Sequence, residues 1–140
     1  MDNFEQFRNV LDEVEINYSI DELEDGRPLF RISQKIEGGA FVRFSIIFSA
    51  DHIKILAMGL ASVSDQEKKL RCYELFNDFN ARYKYFKFSI DSDGDVMFEG
   101  DFVLELRDGD FKPNMLMVYL VTAIKVLDDA YPKLMKVLWS

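Results

Sequence analysis

The 140-residue sequence predicts an α+β fold, a twisted antiparallel sheet with flanking helices, and three observations carry that prediction. Four β-rich runs follow one another between residues 16 and 59 with only short punctuation between them. Apolar residues recur at helical spacing on both sides of that block. A second pair of alternating runs surrounds the acidic knot DSDGD at 91–95. The expected order is helix, meander, helix, β-hairpin, helix, in one domain spanning 1–140.

Phe4, Phe7, Leu11 and Val14 stand three or four residues apart, and Asp2 with Glu5 gives a start signal of capping-box type, so the chain opens with an amphipathic helix. Extended segments follow near 16–22, 29–36, 40–49 and 52–59, separated by EDGRP, EGG and SAD, where glycine, proline and aspartate interrupt β-rich sequence. Ser64 and Glu67 form a second capping box, opening a helix whose Cys72, Leu75, Phe76 and Phe79 share one face. RDGDFKPN then leads into a long helix over 113–131, and Pro132 is expected to start a separate short helix at its first turn, ending LMKVLWS.

DSDGD admits two readings. A calcium loop counted from Asp91 finds Asp93 and Asp95 at its third and fifth places, but Val96 stands where a glycine is needed and Phe102 where the closing glutamate belongs. The flanking pattern alternates instead, with Phe86, Phe88 and Ile90 on one face of the incoming strand and Val96, Phe98, Gly100 and Phe102 on one face of the outgoing strand, which extends toward Leu106. Asp-Gly supplies the turn, and a hairpin is expected.

Half the residues are apolar, 13 of them Phe, so 140 residues suffice for an aromatic-rich core without disulfide or metal. The single Cys72 and a start, MDNFEQF, with neither basic nor apolar signal character point to a cytoplasmic protein. MLMVYLVTAI at 115–124 is too short for a membrane span. The net charge of −8 is concentrated in residues 1–25, where nine acids face Arg8 alone, an arrangement that repels polyanions.

Catalytic parts are missing. His52 has neither a second imidazole nor a cysteine cluster beside it to build a zinc site, and Cys72 is assigned to an apolar helix face, as an inert thiol rather than a nucleophile served by His52. EGGA lacks phosphate-loop spacing. No catalytic residue, metal or cofactor is therefore assigned, and a non-enzymatic binding protein is expected.

Two surfaces are candidates. In the 113–131 helix Leu116, Leu120, Ala123, Leu127 and Ala130 suffice to face a sheet, while Met117, Val118, Val121 and Ile124 point away and need a second cover. That cover is the first helix or the LMKVLW segment of the same chain, or else a partner: a protein client or a second copy, as in a twofold homodimer. The alternative surface lies in ARYKYFKF at 81–88, where Phe86 and Phe88 enter the core and leave Tyr83, Tyr85 and Lys87, with Arg82 and Lys84, as a cationic aromatic platform for nucleic acid or another polyanion. A strand with tyrosines under a helix explains the same residues without any ligand.

The stretch YELFNDFNARYKYFKFSIDSDGDVMFEGDF, with the later tail AIKVLDDAYPKLMKVLW, resembles the YbjN-like family of bacterial proteins. The likeness is carried by NDFNAR at 77–82, the aspartate-rich hairpin, and LDDAYP at 127–132 with Leu138 and Trp139; residues 1–60 agree in element order. The resemblance implies a type III secretion chaperone-like fold and a role as sensory-transduction regulator or chaperone-like protein, with no catalytic residues.

Overall fold

The computed structural model describes residues 2–104 and 111–140. Helix α1 (Asn3–Glu13) starts as expected, with the Asp2 carboxylate accepting the Glu5 amide at 2.8 Å. It ends in a left-handed closure: Glu15 has φ 58°, and the Ile16 amide returns to the Leu11 carbonyl at 3.0 Å. That turn occupies residues assigned to a strand from their side chains, so β1 (Ser19–Glu22) begins at 19 and not at 16.

Strands β2 (Pro28–Lys35), β3 (Phe41–Phe48) and β4 (His52–Met58) continue β1 as an antiparallel meander. Helix α2 (Gln66–Arg82) is capped by Asp65, whose carboxylate accepts the Glu67 amide at 3.2 Å, so the cap falls one residue after the predicted Ser64. A carboxylate also suits the positive end of a helix better than a hydroxyl. Strands β5 (Lys87–Ile90) and β6 (Val96–Val103) form the expected hairpin; positions 105 and 106 of its projected extension lie outside the described residues.

Among the described residues the sheet has six strands in the order β1-β2-β3-β4-β6-β5, each neighbouring pair antiparallel. Phe30, Ile32, Phe44, Ile46, Ile53, Ile55 and Phe98 alternate onto one face and are buried. Their rings and those of the helices form two aromatic groups. Phe30 stacks on Phe4 at 4.1 Å and meets Phe7, Tyr18 and Phe48 edge-on. Phe88 and Phe98 meet Phe76, Phe79 and Phe86. No charged or polar side chain is buried among the described residues. The opposite face carries ion pairs, Arg31 with Asp21 at 3.0 Å and Lys54 with Glu99 at 3.2 Å, around the buried cross-strand pair Leu29 and Ile47.

The last helix differs most from expectation. Helix α3 runs unbroken from Pro113 to Leu138, with Pro132 inside it instead of starting a new helix. Pro132 is exposed, so its ring meets no packed neighbour, and the one amide it withholds is that owed to the carbonyl of half-buried Asp128. Leu127, Ala130 and Leu134 keep one buried register across the proline and hold the helix together. Helix α3 packs against both α1 and α2. Its C-terminal end is fastened by α2, where Lys68 donates to the Leu138 carbonyl at 2.7 Å and Arg71 to the Ser140 hydroxyl at 3.0 Å.

Candidate protein-interaction surface

Helix α3 meets the sheet side of the protein with Leu116, Leu120, Ala123, Leu127 and Ala130, all buried as the helical spacing predicts, together with Val126 and Leu134. The four residues expected on its second face divide. Met117 and Ile124 are half-buried against the core, whereas Val118 and Val121 are 53% and 39% exposed. Of the two intrachain covers expected, α1 does pack against α3, as does α2, whereas LMKVLW cannot cover its first half, because those residues continue the same helix. Met115, 46% exposed, extends the ridge toward the helix start. Beside it Tyr119 stacks on Phe102 at 4.1 Å and contacts Tyr85 at 5.5 Å. A groove of about 470 Å³ lies between β6 and this end of α3, lined by Phe102, Leu104, Phe111, Met115 and Tyr119 among others.

The basic-aromatic segment is not the continuous strand its alternation suggests. Arg82 ends α2 and pairs with Asp78 at 3.4 Å, Tyr83 is the helix C-cap, and β5 starts only at Lys87. The Tyr83 hydroxyl donates to the Asp129 carboxylate of α3. Tyr85 sits at φ 75°, a rare conformation for an aromatic residue, and its carbonyl lies against Gly100, where an added Cβ would come within 2.6 Å of the oxygen. Lys84, Tyr85 and Lys87 stay exposed, while Arg82 and Tyr83 are engaged within the chain.

Burial and the Asp129 carboxylate push the Tyr83 hydroxyl up to about 12, and the hydrogen bond from Tyr83 followed by that from Lys133 lowers Asp129. A tyrosine raised in the folded state contributes stability that is complete below its unfolded value near 10 and is lost as pH rises through about 12. In an absorbance titration of tyrosinate, the highest-pH phase should be missing from Tyr83→Phe and shifted downward in Asp129→Asn; superimposable curves for all three proteins would show that this contact does not hold the proton.

The two sheet edges are unequally protected against strand addition. On the outer edge of β5, the Asn80 side chain of α2 accepts the Phe88 amide at 2.8 Å and donates to the Phe88 carbonyl at 3.2 Å, occupying both backbone groups a visiting strand would use. At the other edge β1 is four residues long and fully exposed, and the Asp21 carboxylate takes the Glu22 amide at 2.8 Å. Nothing in the spacing of NDFNAR reveals the role of Asn80, because its partner is fixed by how α2 lies on β5.

The DSDGD knot is a turn built on Asp91. Its carboxylate accepts the amides of Asp93 and Asp95, both at 2.9 Å, and its own amide reaches the Asp95 carbonyl at 2.9 Å. Asp95 in turn accepts from the Ser62 hydroxyl at 2.9 Å, tying the turn to the segment before α2. Among the described residues no group of three or more His, Cys, Asp or Glu is placed to hold a metal. Millimolar calcium should therefore leave the melting temperature unchanged, Asp91, Asp93 and Asp95 changed together to Asn should leave the fold intact, and Asp91→Ala should cost about 1–2 kcal/mol in urea denaturation. A calcium-specific rise in melting temperature, absent with magnesium, would contradict the turn.

His52 and Cys72 do not form a dyad. The imidazole Nδ1 lies 2.7 Å from Asp51 and Nε2 3.9 Å from Asp101, and the hydrogen bond from His52 lowers the Asp51 carboxyl. Cys72 is buried on α2, where desolvation pushes its thiol up and away from thiolate chemistry. No helix among the described residues is long and apolar enough to cross a membrane.

Among solved structures the fold is similar to "YbjN, a putative transcription regulator from E. coli", with a TM-score of 0.62 and 14% sequence identity over 91% of this chain and 87% of that one. A search of curated proteins gives no match. The model of the YbjN family, described as "Putative bacterial sensory transduction regulator", matches residues 3–135 and so takes in the first half of the chain, where the sequence itself offers only an order of elements. On that match, and with the α+β architecture in agreement, the chain belongs to the YbjN family.

Proposed function

We propose that the protein is a cytoplasmic, non-enzymatic regulatory or chaperone-like module that binds another protein through the outward ridge of α3. The carrying observation is the exposure of Met115, Val118 and Val121 along one helix whose opposite face is fully buried. Their half-buried neighbours Met117 and Ile124 border the same strip. The Asn80 cover on β5 and the shortness of β1 favour helix packing over strand addition as the binding mode. The family description, a regulator, agrees with a role in which contact with a partner is the activity. The polyanion reading has less support, since Arg82 and Tyr83 are held by Asp78 and Asp129.

The test is a comparison of proteins that co-purify with the native chain and with Val118→Asp/Val121→Asp, alongside light scattering and circular dichroism of both. A folded variant that loses specific partners, or a native dimer that becomes a folded monomer, is the expected result. Identical partners and identical mass for two folded proteins would remove the ridge from consideration, and an unfolded variant would assign it to the chain's own core.

A further inference from the structure

The outward ridge of α3 does not stop at its apolar half. At helical spacing Val118 and Val121 are followed along the same face by Lys125, Asp129, Pro132 and Lys136, all exposed, with the Asp129 carboxylate already held by Tyr83 and Lys133. Lys125 has acids three and four positions ahead, where a helix normally pairs them. Both are engaged elsewhere: Asp128 accepts the Glu37 amide at 2.8 Å, and Asp129 takes the Tyr83 hydroxyl and Lys133. Lys136 has Lys133 and Pro132 behind it and Trp139 and Ser140 ahead, so no Asp or Glu side chain lies within a turn of it along the helix. Among the described residues neither Lys125 nor Lys136 makes an ion pair, on a chain whose net charge is −8. The ridge is thus an apolar strip continued by two free cations, extending about 27 Å from Val118 to Lys136 at 1.5 Å per residue.

We infer that the occupant of this ridge is an amphipathic helical segment of a partner protein, about 18 residues long, with an apolar stripe at one end and carboxylates at the other. The inference rests on the ridge being a protein-binding surface and adds the chemistry of the partner. The α3 helix of a second copy is a poorer complement, because its own acids, Asp128 and Asp129, are already bound to the Glu37 amide and to Tyr83 and Lys133.

Two synthetic 18-residue helices test this, each with a leucine stripe, one flanked by glutamates and its twin by lysines, with binding followed by fluorescence anisotropy. The overall negative charge alone would favour the lysine peptide, so preference for the glutamate peptide reports the local lysines. The expected result is roughly fivefold tighter binding of the glutamate peptide, weakened by salt, as for two exposed ion pairs. Lys125→Glu/Lys136→Glu should reverse the preference. Equal binding of the twins, an unreversed preference in the charge-swapped protein, or a native dimer dissolved by Val118→Asp/Val121→Asp would overturn the acidic partner. If Val118→Asp/Val121→Asp loses its cellular partners while the lysine swap keeps them, the ridge still binds protein and only the charge assignment fails. If neither variant loses them, both readings fail.

Discussion

Phe30→Ala is expected to destabilise the protein by about 3–5 kcal/mol, the usual cost of emptying a buried phenylalanine site. Phe30 is fully buried, and its ring is shared by α1 through Phe4 and Phe7, by the approach to β1 through Tyr18, and by β3 through Phe48. Four rings fixed by their own backbones cannot all collapse into the space left. Against a total of about 5–15 kcal/mol for a domain, the loss takes much of the folded state's margin. Urea denaturation measures it: the midpoint should fall with little change in slope. A loss below about 1 kcal/mol would mean that the aromatic group can repack without its centre.

Gly94→Ala is expected to cost roughly 3 kcal/mol, from two sources that act together. Gly94 has φ 86°, where a Cβ is strained whatever its surroundings, and the added atom would lie 2.6 Å from the Val63 carbonyl oxygen. That oxygen cannot retreat freely, because the Val63 amide is bonded to the Gly94 carbonyl at 2.8 Å and the Ala61 carbonyl accepts the Val96 amide at 2.9 Å. Gly38→Ala is the control, since Gly38 also has positive φ but nothing stands within 4 Å of its would-be Cβ. The Gly94 variant should melt well below the Gly38 variant; equal losses would show that conformation alone matters and that the contact with Val63 yields.

Much of this fold was legible because its signals are local. The carboxylate of Asp2 sits three residues from the amide it caps, and the alternation of Phe88, Val96 and Phe98 follows from the pleat. The buried stripe of α3 could be read from spacing alone. What failed depended on partners distant in sequence. Pro132 carries a strong stop signal, yet the buried register of Ala130 and Leu134 overrides it. Tyr83 and Tyr85 look like alternate residues of a strand, but one is bound by Asp129 and the other is turned to positive φ beside Gly100. The candidate surface was half legible: helical periodicity marked four residues as facing away from the sheet, and only packing separates the two exposed valines from their half-buried neighbours.

The position of β6 between β4 and β5 gives the sheet an uneven distribution of chain entropy. Every other ladder joins strands that follow one another in sequence, through turns as short as the one between Phe48 and Ile53. Among the described residues only the β4–β6 ladder, from His52↔Val103 to Ala57↔Phe98, closes a loop of about forty residues or more, and that loop contains all of α2. Two locally formed pieces, a four-stranded meander and a two-stranded hairpin, therefore meet along one seam. The Ser62–Asp95 contact and the amide bonds joining Val63 to Gly94 and Val96 to Ala61 lie at the end of that seam, where they shorten the loop still to be closed and bring β6 into register with β4.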